Sequence, residues 1–179
     1  MIVDFDDFCI ETNRLDLLFR LKDTNPKFKC TLFAIPGKGT VEFWDEVPDW
    51  CELAVHGWMH TSPMECFDWS YDRAVEMIES KPDKFVKGFK APGWQISSGT
   101  YLALRDNGWW VADHWSREDR PEGLASFVTY EESAMGLNPD HWHGHIPNVC
   151  GNGIEETFQA LLHAVFSAEE FQFVSEAVA

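Results

Sequence analysis

The residues able to do chemistry fall in five short groups. Asp6-Asp7 follows an apolar run. Neighbouring side chains on extended backbone point different ways, so one carboxylate can bind a metal while the other works as a base. An Asp pair also serves as a helix cap. His56-Gly-Trp-Met-His60 places two imidazoles at i and i+4. On a helical turn these share a face and reach a single zinc-like ion. The spacing lacks the Glu of H-E-x-x-H and is weak by itself. With Asp7 it becomes a facial set of two histidines and one carboxylate with open positions. Lys90-Ala-Pro-Gly-Trp94 offers an ammonium that can hold a carboxylate ionised. Gly93 there offers a backbone N–H for an oxyanion. Asp113 ends a further apolar run. His141-Trp-His-Gly-His145 supplies an imidazole for general acid work near neutral pH, or a second metal or surface cluster.

These groups sit where strands end. Segments 2–5, 28–35, 52–55, 85–89 and 109–112 read as strands, and 126–130 and 141–146 follow them. Helical spacing marks 11–22, 41–47, 70–80 and 154–166, and Ser97 or Ser98 caps one more helix ending near Asn107-Gly108. Alternation of this kind predicts a parallel sheet with helices outside, either an open doubly wound sheet or a small incomplete barrel. Ligands bind beyond the carboxyl ends of such strands, so the five groups are expected to converge on one mouth.

Composition narrows the partners. The chain has 179 residues, 45% hydrophobic, which predicts one domain over 1–179. Its 14 basic and 30 acidic residues give −16. Such a surface repels phosphate backbones and anionic lipid heads, so neither nucleic acid nor a membrane is an expected partner. Nine Trp fill the core for the most part, and some are expected to line a groove against a flat ligand. Trp58, Trp94, Trp110 and Trp142 are the candidates. Five cysteines without a C-x-x-C pair read as buried, reduced thiols. The acidic start MIVDFDDF lacks the features of a signal peptide, and no apolar run approaches the roughly 20 residues of a membrane span, so a cytoplasmic protein is expected.

Taken in order, the groups resemble the polysaccharide deacetylases of the NodB-homology type, carbohydrate esterase family 4. Asp4-Phe5-Asp6-Asp7 stands where that family has Thr-Phe-Asp-Asp. His56-Gly-Trp-Met-His60 resembles His-Ser/Thr-x-x-His, and Lys90-Ala-Pro92-Gly93-Trp94 resembles Arg-x-Pro-Tyr/Phe-Gly. Asp113-His114-Trp115 is similar to the fourth motif, and the Leu-x-His motif falls within 142–145. The resemblance implies a distorted, incomplete (β/α) barrel with helices outside a mainly parallel sheet. It implies hydrolysis of an N-acetyl or other acyl group on a carbohydrate. Asp6 would be the base, and Asp7, His56 and His60 would hold Zn²⁺ or another divalent ion such as Co²⁺, Ni²⁺ or Mn²⁺. His143 or His145 would be the acid, with His145 favoured because Ile146-Pro147 follows it as a strand exit. Lys90 and Asp113 would tune base and acid, and Trp58, Pro92, Gly93, Trp94 and Trp142 would meet substrate.

The chain departs from these motifs at Asp4, at Gly57 in place of a hydroxyl, and at Lys90 in place of a guanidinium, which loses a bidentate fork. A glycan-binding module with an impaired site, and a metal hydrolase of another small amide or ester, are the competing expectations. Oligomeric state leaves no mark in the sequence.

Overall fold

The computed structural model describes residues 1–178. Seven strands are β1 (Ile2–Phe8), β2 (Cys30–Ala34), β3 (Cys51–His56), β4 (Gly88–Lys90), β5 (Trp110–His114), β6 (Ser126–Thr129) and β7 (His141–His145). Every pairing is parallel, in the order β6-β5-β4-β3-β2-β1-β7. The sheet curls into a nearly closed barrel. Its two edge strands meet through side chains, with the Phe127 and His141 rings 4.9 Å apart. Helices α1 (Leu15–Thr24), α2 (Val41–Glu46), α3 (Tyr71–Glu79), α4 (Ser98–Asp106), α5 (Glu131–Ala134) and α6 (Ile154–Ser167) surround it. This is the distorted (β/α) barrel that the motifs implied, and the open sheet is excluded.

Strand alternation with a period of two sorts the residues. Val3, Phe5, Leu32, Leu53, Val55, Phe89 and Val111 enter the large core beneath the helices. Phe33, Ala54 and Ala112 form a second, smaller cluster with Val174 from the C-terminal segment. That segment closes the barrel base. The Val174 N–H donates to Thr31 Oγ1, whose hydroxyl donates to Glu52, and the Ser175 hydroxyl also donates to Glu52.

Local signals explain the helix starts. The hydroxyls of Thr40, Ser70 and Ser97 each accept the N–H three residues on, which settles the cap of α4 on Ser97. Boundaries shift in places. The helix expected from residue 11 begins at Leu15, the strand expected over 85–89 shrinks to Gly88–Lys90, and α5 had no sequence signal. Four cysteines are buried free thiols as expected, whereas Cys150 is exposed. No described helix is long and apolar enough to cross a membrane.

Candidate metal and acid–base site

The two adjacent carboxylates of the site owe their aim to a break in β1. Its register with β2 shifts between Phe5 and Phe8, and Asp7 takes a left-handed φ of 65°. A bulge of this kind re-aims a side chain, and Asp tolerates the conformation better than most residues. Asp6 and Asp7 therefore both serve the mouth of the barrel while facing different partners.

His56 ends β3 and is buried. Its Nδ1 lies 3.0 Å from the Lys90 carbonyl, which can only accept, so Nδ1 carries a proton, and Nε2 either donates to Asp7 in the charged ring or, once deprotonated, presents a lone pair to an ion. That Nε2 lies 3.5 Å from Asp7 Oδ1, and His60 Nε2 lies 3.1 Å from the same oxygen. The two imidazoles do not share a helix face, as the spacing had predicted. A tight loop brings them together, with Gly57 at φ 61° and His60 at φ 47°, and the ring centroids 5.1 Å apart. Metal–ligand bonds near 2.0–2.1 Å place neighbouring ligand atoms about 2.8–3.4 Å apart across octahedral and tetrahedral geometry. The set Asp7, His56 and His60 fits a divalent ion on these distances and donor types. Burial pushes the Asp7 carboxyl up, but the hydrogen bond from His56 and the charges of His56 and His60 outweigh this and hold it at about 2.

The loop itself hangs on Glu65. Its carboxylate accepts the N–H groups of Trp58, Met59 and His60 at 3.0, 2.9 and 2.9 Å. A Cβ on Gly57 would meet Glu65 Oε2 at 2.4 Å and Pro92 Cγ at 2.8 Å.

Beside this triad lies a buried network of charges. Lys90 is fully buried, with Nζ 2.8 Å from Asp6 Oδ1 and 3.1 Å from Asp4 Oδ1. The contact to Asp6 is poorly aligned for a hydrogen bond and acts through charge. The ammonium also lies 4.5 Å from the Phe33 ring centre and 4.6 Å from that of Trp94. Asp4 is fully buried and meets two imidazoles, His141 Nε2 at 2.5 Å and His143 Nδ1 at 2.8 Å. His143 Nδ1 is also 3.2 Å from Lys90 Nζ. A protonated Nδ1 donates to Asp4, the shorter contact and the anionic acceptor, and Lys90 then turns its protons to the carboxylates. This leaves His143 Nε2 3.9 Å from Asp6 Oδ2.

Burial alone would raise both carboxyls. For Asp4 the charges of Lys90 and His143 and the hydrogen bonds from His141 and His143 overcome it and hold the group well below its usual range. For Asp6 the charges of Lys90, His56 and His143 do the same to a smaller degree, so both are ionised at neutral pH. His145 lies 5.4 Å from His143 ring to ring. Its Nδ1 is buried without a hydrogen-bond partner, and burial pulls it below the ordinary imidazole value. Asp6, His143 and His145 also lie close enough to share an ion. The ammonium already at Asp6 and His143 fills that electrostatic role.

The structure thus brings together Asp6, Asp7, His56, His60, Lys90, His143 and His145. Trp94 covers Lys90 and meets His143 edge-on at 5.8 Å, and its ring continues to His114 at 5.6 Å and on to the half-exposed Trp115. Trp58 is half-buried, packed against the core and close to Gly37. Pro92 is buried as a spacer under Gly57, and exposed Gly93 lies against Pro63.

Three expectations fail. Asp113 lies on the other face of β5 and binds the Tyr101 hydroxyl, with Arg120 3.5 Å away, so it does not touch either candidate acid. Trp142 faces the outer core, against Gly136, and Trp110 packs on Gly88 and Phe33. Asp113 and Trp142 miss the mouth because they alternate out of phase with His114 and His143, whereas Trp110 shares the inner face with His114 but sits at the opposite, N-terminal end of β5 beside Phe33. Asp4, His141 and Glu65 were missed as site residues. For Asp4 and His141 a signal existed: each lies two positions from a candidate on the same strand, hence on the same face.

Comparison of the sequence with family models gave no match, and comparison with curated proteins gave none either. Solved structures do match. The Xyl-CE4 domain of a multidomain xylanase from the hindgut metagenome of Trinervitermes trinervoides superposes with a TM-score of 0.62 at 19% identity, over 98% of this chain and 87% of that one. A family 4 acetyl xylan esterase from Clostridium thermocellum, solved in complex with a cobalt ion, gives 0.60 at 16% identity, over 98% and 88%. The chitin deacetylase of Colletotrichum lindemuthianum gives 0.55 at 12% identity, over 98% and 85%. At these identities the likeness establishes a common fold.

Proposed function

Starting from the fold it shares with family 4 carbohydrate esterases, we propose that this protein is a metal-dependent deacetylase that hydrolyses an N-acetyl or similar acyl group on a carbohydrate. One observation carries the reading. Asp7, His56 and His60 bring three donor atoms within 4.8 Å of one another, and a second carboxylate, Asp6, stands beside them ionised by a buried ammonium.

A divalent ion held by Asp7, His56 and His60, with zinc first and cobalt, nickel or manganese as alternatives, supplies Lewis acidity toward the acyl carbonyl and acidifies a water. The chain's own groups do the rest. His56 presents Nε2 because its Nδ1 proton is committed to the Lys90 carbonyl. Asp6 takes the proton of the attacking water at Oδ2, while Lys90 keeps the carboxylate ionised through Oδ1. His143 gives the proton on Nε2 to the leaving nitrogen as the carbon–nitrogen bond breaks. Asp4 orients this ring by accepting from Nδ1 and supports its doubly protonated form, as carboxylates do for other acid–base imidazoles. The products are acetate and a free amine. His143 is preferred to His145 because only His143 is held by a carboxylate.

The polar rim and the run Trp94, His114 and Trp115 form the wall along which a sugar ring would lie. The departures at Lys90 and Gly57 do not favour a purely binding role. Lys90 is engaged by two carboxylates and the loop at Gly57 by Glu65. The test is acetate release from a panel of N-acetylated oligosaccharides. Chelation should abolish it and Zn²⁺ or Co²⁺ should restore it. Turnover that survives exhaustive chelation would remove the metal from the reading, and glycan binding with no acetate release would replace it with a lectin-like role.

A further inference from the structure

The loop that carries His60 is the least regular part of the site, yet it must deliver a ligand atom to within a few tenths of an ångström. Nothing in its own backbone pattern does so. Residues 57–60 belong to no helix or strand, and His60 holds a left-handed φ of 47°. A residue other than glycine in that region carries strain and keeps it only when its surroundings over-determine the conformation.

We infer that Glu65 is the positioning residue of the proposed metal centre. The inference rests on the metal reading of Asp7, His56 and His60 and adds a residue outside that set. One carboxylate gathers three successive N–H groups, Oε2 those of Trp58 and His60 and Oε1 that of Met59. Three consecutive amides curled around an anion form a nest, and charge-assisted bonds of this kind are about twice as strong as neutral ones. The clamp fixes the peptide plane preceding His60, and with it the direction of the imidazole toward Asp7.

The clamp has its own support. Glu65 donates its N–H to the Ser62 carbonyl at 3.2 Å. The next residue, Cys66, is fully buried, and its carbonyl accepts from Ser97 N at the start of α4. The anion is therefore tied to the helix layer outside the barrel.

Gly57 and Glu65 are two halves of one device. The space that any side chain at 57 would need is where Glu65 Oε2 stands, 2.4 Å from an added Cβ. A hydroxyl at 57 has no room, and the amides of 58–60 are satisfied by a carboxylate eight positions after Gly57.

The experiment titrates purified wild type, Glu65→Ala and Glu65→Gln with Zn²⁺ against a chromophoric chelator. Amide hydrogen exchange at 58–60 is followed in the metal-free proteins. Loss of a group supporting a ligand lowers metal affinity by about 10–100-fold, and that loss is expected for Glu65→Ala, with faster exchange at the three amides. Glu65→Gln should fall between, since its single side-chain oxygen serves fewer N–H groups. It also keeps the test decisive if the alanine variant does not fold. Wild-type zinc affinity in the variants, even with faster exchange, overturns the inference and leaves the metal centre standing. A wild type that takes up no zinc overturns both. Tight zinc binding lost in Glu65→Ala, in a wild type that releases no acetate, upholds the inference and sinks the deacetylase reading alone.

Discussion

Lys90 reaches two carboxylates by sitting deep between them, where a guanidinium would fork toward them. Its stem passes inside the barrel and its ammonium lies between Asp4 and Asp6, under the Trp94 ring. In such a place, removing one partner of a buried charge pair costs about 3–5 kcal/mol. The catalytic assignments are therefore better tested by isosteres. Asp6→Asn should lower kcat about 10²–10⁴-fold, the usual range for a general base, while zinc content measured on the same sample stays at the wild-type level. A variant with full turnover would remove Asp6 as the base. His143→Gln should cost at least about 10²-fold, and His145→Gln much less. The reverse order would return the acid to the residue that sequence reasoning favoured. Asp6, Asp7, His56 and His60 were legible because residue type and spacing are themselves the chemical signal. Glu65 was not, because its role depends on three backbone N–H groups whose direction no side-chain pattern records.

The strands show what alternation can and cannot tell. On β7 the three histidines share one face, and on β1 Asp4 and Asp6 do, so the network follows from a period of two once the strand is granted. The phase is another matter. Asp113 was assigned to the mouth because it ends a strand and Trp142 because it was a candidate for stacking against substrate, yet each points to the helix layer. The barrel base carries a testable consequence. Burial pushes the Glu52 carboxyl above its ordinary value despite the hydrogen bonds from Ser175 and Thr31. The folded protein thus keeps that proton to higher pH than the unfolded chain does. The stability it contributes is complete below the unfolded pKa and is lost as pH rises through the folded one. Glu52→Gln keeps an acceptor for Thr31 and turns an amide N–H toward the Ser175 hydroxyl, which then accepts instead of donating. Its urea midpoint should exceed that of wild type at pH 8, and the difference should close by about pH 4. A constant difference across this range would contradict a raised Glu52.

For the whole molecule, a formal charge of −16 acts against compactness. The site's own charges are buried and weakly screened, whereas the surface excess is exposed. Raising NaCl from about 10 to 150 mM shortens the screening length to about 8 Å and should raise the Tm by a few degrees. An unchanged or lower Tm would mean that surface ion pairs offset the repulsion. The sequence by itself determined the alternation of strand and helix, the single hydrophobic inventory and the order of the chemical motifs, because periodicity and residue type are local properties. Tertiary structure decided the rest: closure of the sheet into a barrel, the depth of Lys90, the turning of Asp7 by a bulge, and which imidazole meets Asp4. Each of these depends on how strands far apart in the chain are staggered against one another, and stagger is set by packing across the whole core.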